Sequence, residues 1–146
     1  MTDHGPAPFV TDIEAATLGN DTFRMTLWTG RHLQLTVMCL QPEEEIGLEV
    51  HHDIDQFLRI EDGIGRVEMG PARDRLTFRR EVRDDDVVLV PAGSWHNITN
   101  IGTGPLSLYS VYGPAGTLTG QWWCASASSA SAFVVWTVPR GCSAGP

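Results

Sequence analysis

The sequence predicts an all-β domain built from short antiparallel strands. Apolar and polar residues alternate through several short segments, and Gly, Pro and Asp residues punctuate the chain between them. Helical periodicity is nearly absent from the 146 residues, which amount to one domain. An antiparallel barrel or sandwich is the architecture that such a pattern favours.

The predicted strands follow one another closely after a loose, Pro-rich N-terminal stretch (residues 1–8) and at most two helical turns over residues 13–18. Residues 23–28 and 33–39 alternate on either side of the turn Thr29-Gly30, and Cys39 is expected in the core. The later predicted strands are residues 46–51, 56–60, 65–70, 87–90 and 106–112. The arginine-rich segment 71–83 is expected to be a solvated, salt-bridged edge, with an anion-binding patch as the alternative.

Three sections of different character divide the chain. We predict an N-terminal arm at residues 1–20, a barrel at 21–116 and a low-complexity tail at 117–146. Arg140 is the only charged residue after Gly116. The tail is open to three interpretations: a shifted reading frame, an added strand over residues 132–138 that faces a dimer partner, or a disordered end.

Four side chains suited to metal binding are predicted to converge. A strand at 46–51 places Glu49 and His51 on one face, and a hairpin through the following turn brings Gln56 beside them. The turn that begins at Pro91 delivers His96 inward from the next buried strand. Imidazoles with oxygen donors suit Mn, Fe, Ni, Cu or Zn, so a metal site is the prediction. His52 faces the other way and is expected in the second shell or at the surface.

Both halves of this pattern resemble the two motifs of the cupin family. The first family motif has the form H-x-H-x4-E-x6-G, and its counterpart here runs Glu49-x-His51-x4-Gln56-x6-Gly63; the second counterpart is Pro91-x-Gly93-x2-His96-x3-Asn100. Glu49 replaces a family His, Gln56 replaces the family Glu, and Asp85 stands where the second motif usually begins with Gly. The chain is most similar to small single-domain bacterial cupins often labelled mannose-6-phosphate isomerase-like.

The resemblance implies a fold, a cofactor and an assembly. The expected fold is a small jelly-roll β-barrel that holds one transition-metal ion per chain, with Cu, Fe or Mn expected first and Zn or Ni as alternatives. The expected metal ligands are His51, Gln56 and His96, with Glu49 as fourth ligand or second-shell group and as the catalytic residue. Inward residues are expected to form the wall of the substrate pocket: Leu58, Ile60 and Ile98. Small cupins commonly form homodimers, with the apolar N-terminal strands as the expected contact.

Three functional classes fit this site. The favoured one is a metal-dependent oxidoreductase that activates oxygen or peroxide on a carbohydrate-like or small oxygenated substrate. The alternatives are a sugar or sugar-phosphate isomerase and a non-catalytic metal- or sugar-binding cupin. A formal charge of −8 argues against nucleic acid or an anionic membrane as partner. Without a signal peptide or a long apolar stretch, the expected location is the cytoplasm.

Overall fold

Two antiparallel sheets make up the computed structural model, which describes residues 2–114. The elements are α1 (Ile13–Leu18), β1 (Arg24–Thr29), β2 (Gln34–Leu40), β3 (Ile54–Asp62), β4 (Ile64–Gly70), β5 (Phe78–Arg83), β6 (Val87–Val90), β7 (Trp95–Asn100) and β8 (Leu106–Pro114). One sheet has the strand order β1-β2-β8-β3-β6 and the other β5-β4-β7. The predicted all-β jelly-roll class is confirmed. The predicted tail, residues 117–146, lies outside the described residues.

A single apolar core lies between the two sheets. Alternate residues of β2, β3 and β8 face inward, where they meet residues of β4, β5 and β7. The core consists of Met38, Leu40, Ile46, Leu58, Ile60, Val67, Val82, Val88, Val90, Ile98, Leu106 and Leu108. In residues 2–114 no helix has both the length and the apolar character needed to cross a membrane.

The inner face of the larger sheet becomes polar toward one end. Following the same alternation, Thr36 lies on β2 beyond Met38, and Ser110 lies opposite it on β8. In the next row Tyr112 pairs with Gln34 on one side and with Gln56 on the other. The interior is therefore divided into an apolar part and a polar part, and Gln56 belongs to the polar part.

The N-terminal arm and α1 cover the outer side of the larger sheet. The helix begins at Asp12, whose side chain accepts a hydrogen bond from the Ala15 amide at 3.0 Å, and it contacts β2, β3 and β8. Residues 36–40 of β2 are consequently buried on both faces. The stretch expected to be loose is instead bonded to edge strand β1: the amide of His4 donates to the Leu27 carbonyl at 2.9 Å. The Trp28 indole likewise donates to the Ala7 carbonyl at 2.8 Å.

The predicted strand over residues 46–51 is wrong. Gly47 has φ +90°, outside the β region, so the extended conformation is interrupted there. Only single bridges remain, from Glu49 to His96 and from Glu45 to Thr99, on either side of that glycine. The segment therefore runs beside β7 without forming a regular strand, and its ligand residues are placed by individual backbone contacts.

Two turns bear out the reasoning about backbone conformation. Gly93 has φ +79°, the positive φ anticipated for the turn before His96. Asp85, which replaces a motif glycine, has φ +70°, a value that Asp tolerates better than most residues. Its carboxylate also forms an ion pair with Arg59.

The arginine-rich segment forms a salt-bridged edge, as expected. Strand β5 is the outer strand of the smaller sheet. Arg79 pairs with Glu68, and Arg83 pairs with Glu81 at 2.6 Å.

Candidate metal centre

Three of the four predicted ligands come together at the polar end of the interior. Glu49, His51 and His96 each offer one ligand atom, and these atoms all lie within 4.8 Å of one another. The Oε1 atom of Glu49 is 3.4 Å from Nε2 of His51 and 3.4 Å from Nε2 of His96. The two imidazole rings are tilted by 50° with their centroids 5.5 Å apart.

Backbone hydrogen bonds hold all three residues in place. The Glu49 amide donates to the His96 carbonyl at 3.1 Å, and the His96 amide donates to the Glu49 carbonyl at 2.9 Å. The Gly93 amide donates to the His51 carbonyl at 2.7 Å. The turn that carries His96 is thereby tied to the loop that carries Glu49 and His51.

The predicted donor atoms form no hydrogen bonds within the described residues. In residues 2–114 eight buried side-chain atoms have no hydrogen-bond partner, and four of them are the predicted ligand atoms: Glu49 Oε1, His51 Nε2, Gln56 Oε1 and His96 Nε2. Leaving a buried polar atom unpaired costs about 1–3 kcal/mol. A cation bound by these atoms would remove that cost, so the residues fit a metal ion.

Two of the three donor separations also fit a metal ion. Two donors bonded to one ion at about 2.1 Å lie about 3.0–3.4 Å apart for angles between octahedral and tetrahedral. Both carboxylate-to-imidazole distances, 3.4 Å, fall at the upper end of this range.

The His96 ring is oriented by the backbone of its neighbour Ser94. The Nδ1 atom of His96 lies 3.0 Å from the Ser94 carbonyl oxygen, so Nδ1 carries a proton and donates it. In the neutral imidazole, Nε2 is then the nitrogen that can bind a metal ion. A backbone carbonyl on the far nitrogen is a common support of metal-binding histidines.

Glu49 is ionised in this environment. Burial alone would favour its protonated form. The contact with the His96 imidazole and the charges of His51 and Arg24 outweigh burial and hold the pKa of Glu49 below its ordinary value. The carboxylate is therefore available as an anionic ligand.

Gln56, the fourth predicted ligand, is buried on β3, with 3% of its surface exposed. Its amide nitrogen Nε2 donates to the hydroxyl of Ser110 at 2.9 Å, while Oε1 is left without a partner. Its coordination of the metal stays a prediction.

The three residues predicted to line the pocket occupy the apolar part of the interior. Leu58, Ile60 and Ile98 face inward as the alternation indicated, but all are core residues with at most 1% exposure. Their role as a substrate wall stays a prediction; Leu58 pairs with Ser110 and so lies at the border between the apolar and the polar part. His52, expected in the second shell or at the surface, is exposed.

Sequence reasoning did not assign a site role to several neighbours of the centre. The Tyr112 ring lies edge-on to His51 with centroids 5.6 Å apart, and Arg24 acts electrostatically on Glu49. Ser94 lies two residues before His96, a spacing that signals a local contact. The other two come from strands far away in sequence, for which no local signal exists.

Comparisons with known proteins agree with this geometry. The cupin domain family matches residues 36–112. The uncharacterized protein YrkC of Bacillus subtilis (strain 168) is 55% identical over 114 residues, which cover 78% of this chain and 61% of YrkC. The uncharacterized protein L612 of Acanthamoeba polyphaga mimivirus is 36% identical over 108 residues, covering 73% of this chain and 66% of L612. The chain thus spans less than two thirds of the length of both relatives.

A solved structure extends the similarity to three dimensions. The crystal structure of BH2720 from Bacillus halodurans superposes with a TM-score of 0.77 at 55% identity, covering 80% of this chain and 88% of that one. The match to the isomerase-like subgroup stays a prediction. The cupin domain family matches more than half of the chain, and the fold and both motifs agree with that match. The chain therefore belongs to the cupin family.

Proposed function

We propose that this cupin is a mononuclear metal-dependent oxidoreductase that acts with oxygen or peroxide on a small oxygenated substrate. One observation carries the proposal: Glu49, His51 and His96 place one carboxylate and two imidazole donors within 4.8 Å of one another. Two histidines and a carboxylate on one side of an ion are the donor set of non-haem iron oxygenases, which leaves positions open for other ligands. A redox-active ion held there would supply the electron exchange with oxygen or peroxide that no side chain provides.

Differences in exposure indicate the side from which a substrate arrives. The side chains of His51 and Glu49 are 27% and 26% exposed, whereas that of His96 is 1% exposed. His96 would anchor the ion from the interior. A substrate would approach past Glu49 and His51, where the Tyr112 ring flanks the imidazole.

The position of Glu49 supports iron or manganese over copper. Its Oε1 atom is equally close to both imidazole nitrogens, which supports a role as a ligand over a role outside the donor set. Carboxylate ligands suit harder ions, whereas a site of imidazoles and a neutral amide would suit copper.

Polar residues near the donors support an oxygenated substrate. Gln34, Thr36 and Tyr112 share the inner face with Gln56, and the Thr36 hydroxyl is buried without a partner. Hydroxyl and amide groups of this kind match the hydroxyls or carbonyls of a carbohydrate-like molecule. A sugar isomerase would instead need a carboxylate base free of the metal, whereas Glu49 is proposed as a metal ligand.

The test compares metals and oxidants. The metal-free protein is loaded separately with Fe, Mn, Cu and Zn, and oxygen or peroxide consumption is followed with sugars and small hydroxy acids, with ascorbate as reductant. We expect turnover with Fe or Mn that requires oxygen or peroxide. Equal turnover with Zn, or turnover under strict anaerobiosis without peroxide, would replace this proposal with the isomerase. Metal binding without turnover would favour the non-catalytic cupin.

A further inference from the structure

The Gln56 amide is held from one side only. Its Nε2 atom donates to Ser110 Oγ at 2.9 Å, and its Oε1 atom has no hydrogen-bond partner. Gln56 is 3% exposed and Ser110 is 0% exposed, so water does not compete for this contact. The two residues are separated by 54 positions and meet only because β3 pairs with β8.

We propose that Ser110 is a positioning residue that orients the Gln56 amide so that Oε1 serves as the fourth metal ligand. The inference rests on the metal centre of the proposed function. An amide has two faces: its oxygen can bind a cation, whereas its NH2 group can only donate. Rotation by half a turn would exchange the two and present a donor to the ion. When Oε1 faces the ion, the NH2 group points away from it and needs an acceptor, which the Ser110 hydroxyl supplies.

Removing the hydroxyl would leave that NH2 group buried and unpaired. The cost of such a group, about 1–3 kcal/mol, is large enough to destabilise the orientation that presents Oε1. Thr36 lies opposite Ser110 on β2, but its own hydroxyl is without a partner and does not contact Gln56. Within the described residues, Ser110 is therefore the side chain that holds the amide.

A glutamate at position 56 would escape this requirement. Its two carboxylate oxygens are equivalent, so either can face the ion after rotation. A hydroxyl can also donate, so Ser110 would hold a carboxylate as readily as an amide. Dependence on Ser110 should therefore be strong with Gln56 and weak after Gln56→Glu.

The experiment is a double-mutant cycle on the full chain, with Co(II) alone as the probe. Co(II) affinity is measured by calorimetry, and the visible absorption of the bound ion reports its ligands. We expect Ser110→Ala to weaken Co(II) binding about 10- to 100-fold, as loss of a residue that orients a ligand typically does, and to change the spectrum. Gln56→Glu in the Ser110→Ala background should restore affinity, and Ser110→Thr, which keeps the hydroxyl, should retain the wild-type spectrum.

The matched control is Ser107→Ala, because Ser107 is also a buried serine of β8, with 6% exposure, but it pairs with Cys39 on the face of the sheet that points away from Gln56. Ser110→Ala with wild-type affinity and spectrum would overturn the proposal. So would equal losses in both alanine variants, or failure of Gln56→Glu to restore a folded Ser110→Ala protein, because a packing defect would then explain the effect. Wild-type protein that binds no Co(II) would overturn the centre itself. Wild-type binding without oxygen-dependent turnover would overturn only the proposed reaction.

Discussion

Two adjacent histidines offer a sharp test of the metal centre. His51 belongs to the donor group, whereas His52 is exposed and points elsewhere. Loss of a ligand should cost at least the upper end of the 10- to 100-fold range known for supporting residues, so His51→Ala should weaken binding by about 100-fold or more. Because His51 is only partly buried, with its side chain 27% exposed, the same change should affect the metal-free protein little.

The difference in metal affinity between wild type and His51→Ala can be measured as a difference in the thermal stabilisation by metal. At a free metal concentration 100 times the wild-type Kd, binding stabilises the wild type by about 2.7 kcal/mol but the His51→Ala variant by about 0.4 kcal/mol. At about 4 °C per kcal/mol for a domain of this size, the melting temperature should rise by about 11 °C and about 2 °C respectively. Calorimetric melts of wild type, His51→Ala and His52→Ala with and without Mn(II) provide the assay. An undiminished shift in His51→Ala, or a lost shift in His52→Ala, would refute the assignment of ligands.

Three other regions give further predictions. Burial raises the pKa of Glu61, which Arg59 only partly counteracts, so wild-type stability should fall as pH rises above the ordinary value of 4.5. Glu61→Gln should add about 1 kcal/mol at pH 7 and nothing at pH 4 in urea titrations; an equal gain at both would contradict this. Gly63→Ala should destabilise by about 1–3 kcal/mol, since φ is +93° and a Cβ would lie 2.5 Å from a backbone oxygen, whereas Gly104→Ala, in open space, should be neutral. Leu33, 45% exposed, belongs to the predicted strand 33–39 and so to the expected dimer contact, so Leu33→Asp should convert a dimer to a monomer by light scattering; a monomeric wild type would reject the contact.

Local patterns were sufficient to predict most of the strands. The run at 87–90 was found as a short, continuous apolar segment, which predicts a buried strand, although only Val88 and Val90 are buried. The loop at 46–51 alternates, yet it is not a strand. The positive φ of Gly47 interrupts the extended backbone there. Hydrophobic periodicity cannot report such a change, because it depends on side chains and not on backbone dihedrals.

The candidate site was predictable for a different reason. Glu49, His51 and His96 are few, chemically distinctive and spaced as in two known motifs, so their convergence could be inferred without coordinates. The contact between Gln56 and Ser110 could not, because serine is common and the strand pairing that joins them spans 54 positions. Sequence thus indicated the ligands better than the residues that support them.

The reciprocal backbone hydrogen bonds between Glu49 and His96 fix where position 49 lies, whatever side chain that position carries. Since main-chain atoms fix where position 49 lies, exchange of one side chain for another there leaves the site in place and changes only its chemistry. A lineage can therefore replace imidazole with carboxylate in a single step and retune which ion it prefers without rebuilding the barrel. Position 49, where the first cupin motif has histidine and this chain has glutamate, is where such an exchange would act.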